Sequence, residues 1–231
     1  MGSYFVLIIG IMIVSFVVQQ RLKSKFNKYS KVGLKIGLSG KEVAELMLRD
    51  NGITDVQVVS VQGRLTDHYN PADKTVNLSP EVYGGRSVMA AAVAAHECGH
   101  AIQHATAYRP LEMRSALVPI QNASGRIINF IFMAMLFGSF IAPAFISFYT
   151  ALPIIIGAYT IFTLFAFVTL PVEYDATKRA LAWVNERNIT TGEEHEMATD
   201  ALNAAARTYL VAALGSLAML LYYVLAFLGN D

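Results

Sequence analysis

The sequence lacks the features that mark secreted disulfide-rich proteins and nucleic-acid-binding proteins. It has a single cysteine, Cys98, which rules out a framework of intramolecular disulfides. The formal net charge is +1, so there is no broad basic surface that would bind nucleic acid. Charged residues make up only 15% of the chain, against about 25% in an average soluble domain. Hydrophobic residues make up 55%, and this balance predicts a membrane protein.

The sequence does have long uncharged runs. Four of them stand out, at residues 4–18, about 127–147, 153–170 and 209–228. The last three reach the roughly 18–20 residues that a helix needs to cross the hydrocarbon core of a bilayer. The first is slightly short, and whether it fully spans is left open. We therefore predict a mainly α integral membrane protein with about four transmembrane helices.

The basic residues predict how these segments are oriented. The first run could also be a signal peptide, but a signal peptide carries its positive charge before the apolar run. Here four basic residues follow the run instead: Arg21, Lys23, Lys25 and Lys28. If the run is a retained anchor with its N-terminus outside, all 18 Lys and Arg are cytoplasmic, as the positive-inside rule requires. The predicted order is an anchor at 1–20, a cytoplasmic catalytic region at 21–126, a transmembrane hairpin at 127–170, a cytoplasmic helical region at 171–207 and a C-terminal transmembrane helix at 208–231.

The predicted cytoplasmic regions combine helices with a small β element. Ser39 and Glu42 have the spacing of a capping box, which predicts the start of a helix. From 55 to 79 the sequence alternates and is rich in β-branched residues, which predicts two or three short strands. Longer helical stretches are predicted over about 86–104, which is rich in alanine, and over 178–207.

An HExxH motif, His96-Glu97-Cys98-Gly99-His100, lies inside the alanine-rich helix. Residues four apart lie on one face of a helix, so His96 and His100 can both reach one ion. Neutral imidazole suits zinc and leaves a coordination position open for water. Glu97 is close enough to that water to take its proton as general base. The small and apolar neighbours of the motif disfavour the alternative, a helix with two solvated histidines.

The motif requires a third protein ligand, and the residues just after it do not supply one. A metzincin would have a histidine six residues after His100, where this chain has Thr106. His104 lies on the same face as His100, one turn further on. Three ligands from successive turns of one helix rarely share an ion, so we expect His104 to line the pocket or to be exposed.

A gluzincin takes its third ligand, a glutamate, from a separate downstream helix, and Glu173 is the strongest candidate here. It directly follows the third apolar run, where an acidic residue is expensive unless it has a partner. The alternative role for Glu173 is a carboxylate at a helix N-terminus, which Asp175 could equally fill. His195 is a weaker candidate for the third ligand.

Other residues are candidates for substrate handling. The strand predicted at 74–79 precedes the zinc helix, and it could pair with an extended peptide or be an ordinary inner strand. The oxyanion formed during peptide hydrolysis needs a donor besides the metal, and His68 and Arg179 are candidates. A loop histidine and a surface arginine are their more ordinary roles. Cys98 is expected to pack as a small apolar group.

Six segments carry a resemblance to a known family. They are Asp67-His68-Tyr69-Asn70-Pro71, Asn77-Leu78-Ser79, Val82-Tyr83, the Ala-Ala-His-Glu-x-Gly-His-Ala-Ile-Gln block at 94–103, Arg114-Ser115-Ala116-Leu117-Val118-Pro119 and Pro171-Val172-Glu173. Together they resemble the YugP-like family of neutral zinc metallopeptidases of bacteria, over about residues 5–225. The resemblance implies a zinc-dependent integral-membrane peptidase with His96, His100 and Glu173 as ligands and Glu97 as the catalytic residue.

The chain is more distantly similar to a second group of membrane zinc peptidases. In that group the glutamate ligand begins a Glu-x-x-x-Asp pattern. Here position 177 is Thr, and the nearest acid is Asp175, two residues after Glu173. Asp175 is therefore a candidate for supporting a metal ligand, although the spacing differs.

We predict a zincin-like membrane endopeptidase with Zn²⁺ as its cofactor, acting at the membrane–cytoplasm boundary of a bacterial plasma membrane. Its substrates would be membrane-associated or misfolded polypeptides. The alternative is a zinc-stabilised scaffold or chaperone subunit, but such a protein has no use for a general base at Glu97. A transporter is disfavoured because the second to fourth apolar runs contain no ionisable residue that could relay an ion.

Overall fold

The computed structural model describes residues 2–141 and 148–229, and these are mainly helical with one small sheet. The helices of this part of the chain are α1 (Gly2–Tyr29), α2 (Gly40–Asp50), α3 (Pro80–Tyr83), α4 (Val88–Ala105), α5 (Arg109–Ile141), α6 (Phe148–Glu186) and α7 (Glu193–Leu228). The strands are β1 (Gln57–Ser60), β2 (His68–Asn70) and β3 (Thr75–Leu78). The predicted fold class, mainly α with a small β element, is confirmed.

These elements belong to two compact units. The first, which we call the apolar unit, comprises Met1–Ser15, Met113–Leu170 and Tyr209–Asp231 as far as they are described. The second, which we call the sheet unit, comprises Phe16–Glu112 and Pro171–Thr208. The boundaries fall inside α1, α5, α6 and α7, so each of these helices contributes residues to both units.

Three helices among the described residues are long and apolar enough to cross a membrane, rather than the four expected. They are Tyr4–Tyr29 within α1, Phe148–Glu186 and Glu193–Leu228, whose most apolar stretches have mean hydropathies of 2.1, 2.2 and 2.2. The second apolar run of the sequence lies in α5 only as far as Ile141. Its remaining residues, 142–147, lie outside the described residues.

The apolar unit is built from large hydrophobic and aromatic side chains. Leu152 and Ile155 are fully buried, and the Tyr223 hydroxyl lies 3.3 Å from that of Tyr4. Its outer surface is also apolar, since Phe130 is 70% exposed and Leu225 is 67% exposed. A soluble domain rarely presents so much large apolar side chain to water.

In the sheet unit the strand order is β1-β3-β2. β1 pairs with β3 in parallel, and β2 pairs with β3 in the antiparallel sense. β3 is therefore the central strand, and both of its edges are occupied. Of the two roles considered for residues 74–79, the inner strand is confirmed, because a substrate can add only to a free edge. β1 and β2 are the two edge strands.

α2 begins with the capping box that the sequence predicts. The Ser39 hydroxyl accepts a hydrogen bond from the Glu42 N–H at 3.3 Å, and the Glu42 carboxylate accepts one from the Ser39 N–H at 2.7 Å. These bonds satisfy donors that the first turn of a helix leaves unpaired. The apolar face of α2 is buried in the core of the sheet unit, through Val43, Ala44, Met47 and Leu48.

α4 is the alanine-rich helix predicted over 86–104, and its small side chains allow other backbones to approach closely. Ser87 caps it by accepting a hydrogen bond from the Ala90 N–H at 3.1 Å. Gly99 lies against α6, where a Cβ at its position would be 2.7 Å from the Ala176 carbonyl oxygen. Real Cβ atoms are not found this close to backbone oxygen, so only glycine fits here. The absence of a side chain at Gly99 thus allows α6 to pack directly against the HExxH turn.

Candidate metal centre

α4 and α6 bring three side chains of the sheet unit together. His96 and His100 project from successive turns of α4, and Glu173 projects from α6. The Glu173 Oε2 atom lies 3.4 Å from His96 Nε2 and 3.6 Å from His100 Nε2. One donor atom from each of the three residues lies within 4.8 Å of the others. These are the three residues that the sequence predicts as ligands.

The donor set and its spacing fit a zinc ion. Two imidazole nitrogens and one carboxylate oxygen are the ligands of a common class of catalytic zinc site, which keeps a fourth position open. Ligands bound about 2.0–2.2 Å from a tetrahedral ion lie about 3.4 Å from one another. The two nitrogen–oxygen separations, 3.4 and 3.6 Å, agree with that value. The residues present therefore fit a zinc ion in ligand type and in these two spacings.

The cluster is largely shielded from solvent. Glu173 is 2% exposed, and His100 and Glu97 are each 8% exposed. His96 is slightly less buried than these. Burying a carboxylate is unfavourable unless charged or hydrogen-bonding groups face it. The two imidazoles face the Glu173 carboxylate in this structure.

Burial and neighbouring charge change the protonation behaviour of the site. Burial raises the pKa of the Glu97 carboxyl above its ordinary value, although the nearby His96 and His100 rings act in the opposite direction. Burial alone would lower the pKa of His100, but hydrogen bonding and attraction to Glu173 outweigh it and raise that pKa. Both groups therefore titrate away from their solution values.

A hydrogen-bonded network surrounds His100, and its central residue, Gln103, has no predicted role. Gln103 is completely buried, with its Oε1 atom 3.0 Å from His100 Nδ1. Its Nε2 atom donates to the Val172 carbonyl and to Asp175 Oδ2, each at 2.8 Å. Arg179 Nε donates to the same Asp175 oxygen at 2.6 Å. The i, i+3 spacing from His100 to Gln103 is the signal in the sequence that could have identified this residue.

Thr177 contacts the other histidine. Its hydroxyl oxygen lies 3.3 Å from His96 Nδ1. Thr177 is one turn after Glu173 on α6, so it is the helical spacing that brings it beside the cluster. A Glu-x-x-x-Asp pattern starting at Glu173 would place an aspartate at position 177. This chain has a threonine there, and its hydroxyl contacts the proposed ligand His96.

His68 and His104 are not members of the cluster of three. His104 is exposed, and its Nδ1 atom lies 2.8 Å from the Tyr69 hydroxyl. His68 is also exposed, with its Nδ1 atom 2.8 Å from the Thr66 carbonyl oxygen. Neither contact involves a proposed ligand. The expectation of an exposed or pocket-lining His104 agrees with this placement.

His195 and Cys98 have ordinary surroundings. His195 Nδ1 lies 3.2 Å from the Thr190 hydroxyl, and His195 is not part of the cluster. Cys98 is fully buried, with its sulfur 3.5 Å from the Ala44 carbonyl oxygen. Burial raises the pKa of the Cys98 thiol, so it stays protonated and packs as a small apolar group.

Comparison with known proteins now assigns the chain to a class. A family model described as "Putative neutral zinc metallopeptidase" matches residues 4–228, and the chain belongs to this family. It is 41% identical over 219 residues to the "Putative membrane protease YugP" of Bacillus subtilis (strain 168). That match covers 94% of this chain and 93% of the relative. No solved structure gives a significant match. The family resemblance drawn from the sequence is confirmed.

Proposed function

We propose that this protein is a zinc-dependent membrane endopeptidase of the gluzincin kind. In this proposal His96, His100 and Glu173 hold the metal, and Glu97 is the general base. The main support for the proposal is that two imidazoles and a buried carboxylate converge, with the Glu173 Oε2 atom 3.4 and 3.6 Å from the two histidine Nε2 atoms. Membership of a zinc metallopeptidase family supports it, as does the printed name of the Bacillus subtilis relative.

The residues around the cluster can perform peptide hydrolysis. Zinc, when bound, supplies a Lewis acid that acidifies water and polarises a peptide carbonyl. Glu97 accepts a proton from the attacking water as the water oxygen bonds to the carbonyl carbon. It then donates that proton to the amine nitrogen as the carbon–nitrogen bond breaks. The burial of Glu97 within the cluster keeps competing bulk water away from this exchange.

The outer edge of β2 is the best-placed surface for an extended substrate. β2 pairs on one side with β3 through His68, Tyr69 and Asn70. Tyr69 also bonds to His104, one helical turn beyond His100 on α4, so this strand lies beside the HExxH helix. Main-chain pairing along β2 would present a peptide bond to the centre without requiring a particular side chain. We therefore assign peptide binding to β2 in place of the strand at 74–79.

The apolar unit is proposed to lie in the bilayer. Its outward-facing Phe130 and Leu225 suit lipid, and three helices have the length and hydropathy to cross. The basic residues after the first apolar run favour a cytoplasmic position for the metal centre. The substrates proposed are therefore polypeptides that are membrane-associated or misfolded near the inner surface of a bacterial plasma membrane.

The proposal is tested with the purified full chain, comparing wild type with Glu97→Gln. We expect both proteins to hold about one zinc per chain, because Glu97 is not a ligand. Only the wild type should cleave an unstructured protein such as casein, with the variant slower by about 10²–10⁴-fold. Glu186→Gln, which changes an exposed glutamate near the end of α6, is the matched control and should keep full activity. If the wild type holds zinc and cleaves nothing offered, a scaffold role is favoured; a wild type without zinc contradicts the metal centre itself.

A further inference from the structure

We infer that Gln103 and Asp175 are positioning residues of the metal centre. Gln103 holds the His100 ring in the tautomer and orientation that metal binding requires, and Asp175 holds Gln103. This rests on the proposed function, since His100 is one of the proposed ligands. The inference is supported by an unbroken series of hydrogen bonds from His100 through Gln103 and Asp175 to Arg179.

The partners of Gln103 determine which way its amide points. The Gln103 Nε2 atom lies 2.8 Å from the Val172 carbonyl oxygen and 2.8 Å from Asp175 Oδ2. A carbonyl and a carboxylate can only accept hydrogen bonds, so the NH₂ group of the amide must face them. The amide oxygen must then face His100 Nδ1, 3.0 Å away.

This orientation determines the tautomer of His100. An amide oxygen can only accept, so His100 Nδ1 must carry the proton and donate it. The lone pair of the neutral ring is then on Nε2, the atom that lies 3.6 Å from Glu173 Oε2. A metal-ligating imidazole needs this arrangement, with one nitrogen bound to the ion and the other donating to a fixed acceptor. The network therefore prepares His100 for metal binding before any ion arrives.

Asp175 acts on the centre only through Gln103. Its side chain is about a quarter exposed, and its hydrogen bonds are to Gln103 and Arg179 rather than to His96, His100 or Glu173. The two bonds converge on one oxygen, Oδ2, and the bond from Arg179 is a charge-assisted one. Gln103 itself is fully buried, so losing Asp175 would leave its amide with an unsatisfied donor.

The two proposed histidine ligands are consequently supported to different degrees. His96 contacts the neutral Thr177 hydroxyl at 3.3 Å, a weaker partner than an amide held by a carboxylate and an arginine. We therefore expect metal affinity to depend more on Gln103 and Asp175 than on Thr177.

The network also joins α4 to α6, so the test must separate metal positioning from simple stabilisation. The purified full chain is compared with Gln103→Met, Asp175→Ala and the double variant. Zinc dissociation constants are measured by competition with a chromophoric chelator, and the Co²⁺-substituted proteins are compared by visible absorption. Thermal unfolding of the zinc-free proteins reports stability separately.

Asp50, the last residue of α2, provides a matched control. Asp50 accepts hydrogen bonds from Trp183 and Arg187 of α6, as an aspartate–arginine pair that does not reach the metal centre. Asp50→Ala should lower the unfolding temperature and leave zinc affinity within about twofold. Gln103→Met and Asp175→Ala should each weaken zinc binding about 10–100-fold and alter the Co²⁺ spectrum. The double variant should be no weaker than Gln103→Met alone, since the two residues act in series.

The inference is overturned if Asp175→Ala folds and binds zinc as tightly as the wild type. It is also overturned if Asp50→Ala weakens zinc binding equally, because the effect would then be general destabilisation. Asp175→Ala decides the matter even if Gln103→Met fails to fold, since Asp175 is partly exposed. None of these measurements depends on cleavage. If the wild type binds zinc but cleaves nothing, only the proposed peptidase function is contradicted. If the wild type binds no zinc, both the proposed function and this inference are contradicted.

Discussion

The apolar unit and the sheet unit bury their side chains in contrasting ways. In the apolar unit large residues such as Leu152 and Ile155 fill the core, and equally large residues such as Leu225 cover the outside. In the sheet unit α4 buries small residues and, among them, polar side chains with specific partners, of which Gln103 is the clearest. A polar group inside a protein needs a partner at a defined distance, whereas an apolar group needs only adequate packing.

This contrast predicts where single substitutions matter. In the sheet unit, replacing one carboxylate by an amide should abolish metal binding, and adding one methyl group should force α4 and α6 apart. On the outer surface of the apolar unit, larger changes should be tolerated, because exposed side chains such as Leu225 pack little within the chain.

Glu173→Gln should have the largest effect. The substitution keeps the shape of the side chain but replaces an anionic ligand by a neutral amide, which is a poor ligand for zinc. Zinc affinity, measured by chelator competition, should fall by more than the ~100-fold associated with losing an outer-sphere partner. Glu196→Gln, at an exposed position in α7, is the control and should bind zinc normally. Unchanged affinity in Glu173→Gln would remove Glu173 from the ligand set.

Gly99→Ala should destabilise the protein, although alanine is the better helix former. Its Cβ would lie 2.7 Å from the Ala176 carbonyl oxygen, a backbone atom of α6 that cannot move aside as a flexible side chain could. We expect a loss of about 1–3 kcal/mol in the free energy of unfolding and weaker zinc binding, because α4 and α6 must separate. Gly125→Ala in α5 meets nothing within 4 Å, so it should be neutral or stabilise by up to about 1 kcal/mol. Equal responses from the two variants would contradict the close approach of α4 and α6.

Ser39→Ala should have a moderate effect by removing the capping box of α2. The loss of a serine N-cap destabilises a protein by about 1 kcal/mol, which corresponds to a drop of roughly 2–4 °C in unfolding temperature for a chain of this size. Ser24→Ala, at an exposed position within α1, should cause no such drop. Zinc content should be unchanged in both variants, and a loss of zinc from Ser39→Ala would mean that α2 supports the centre directly.

Leu225→Ala should have the smallest effect. Leu225 is 67% exposed on the apolar unit, so the substitution removes little packing within the chain and should change the free energy of unfolding by less than about 0.5 kcal/mol. Ile36→Ala, at an exposed hydrophobic residue of the sheet unit, provides the water-facing comparison. A fall of several degrees in the unfolding temperature of Leu225→Ala alone would indicate that this surface packs against another protein.

Local patterns were sufficient to predict several parts of the structure. The capping box at Ser39 and the alanine-rich helix α4 depend on residues within a few positions of one another, which helical geometry relates directly. The count of transmembrane helices was less secure: three helices among the described residues qualify against about four expected. Hydropathy reports only that a run is long and apolar, and the second run extends into 142–147, outside the described residues.

The strand at 74–79 shows where local pattern fails. Alternation indicates a strand but carries no information about its neighbours, because hydrogen-bonded pairing joins segments far apart in the chain. The structure makes β3 the central strand and β2 an edge. The surface proposed for peptide binding therefore changes from one strand to the other, although both were within the predicted β region.

The positions of His96 and His100 on one face of α4 follow from their spacing alone, because a helix repeats every 3.6 residues whatever surrounds it. The contacts of Gln103 with Asp175, 72 residues away, and of Thr177 with His96 arise instead from the packing of separate helices. These contacts depend on α6 approaching α4 at Gly99, and that approach is a property of two packed helices. The spacing within one helix is local geometry, whereas the choice of partner depends on which helices pack together.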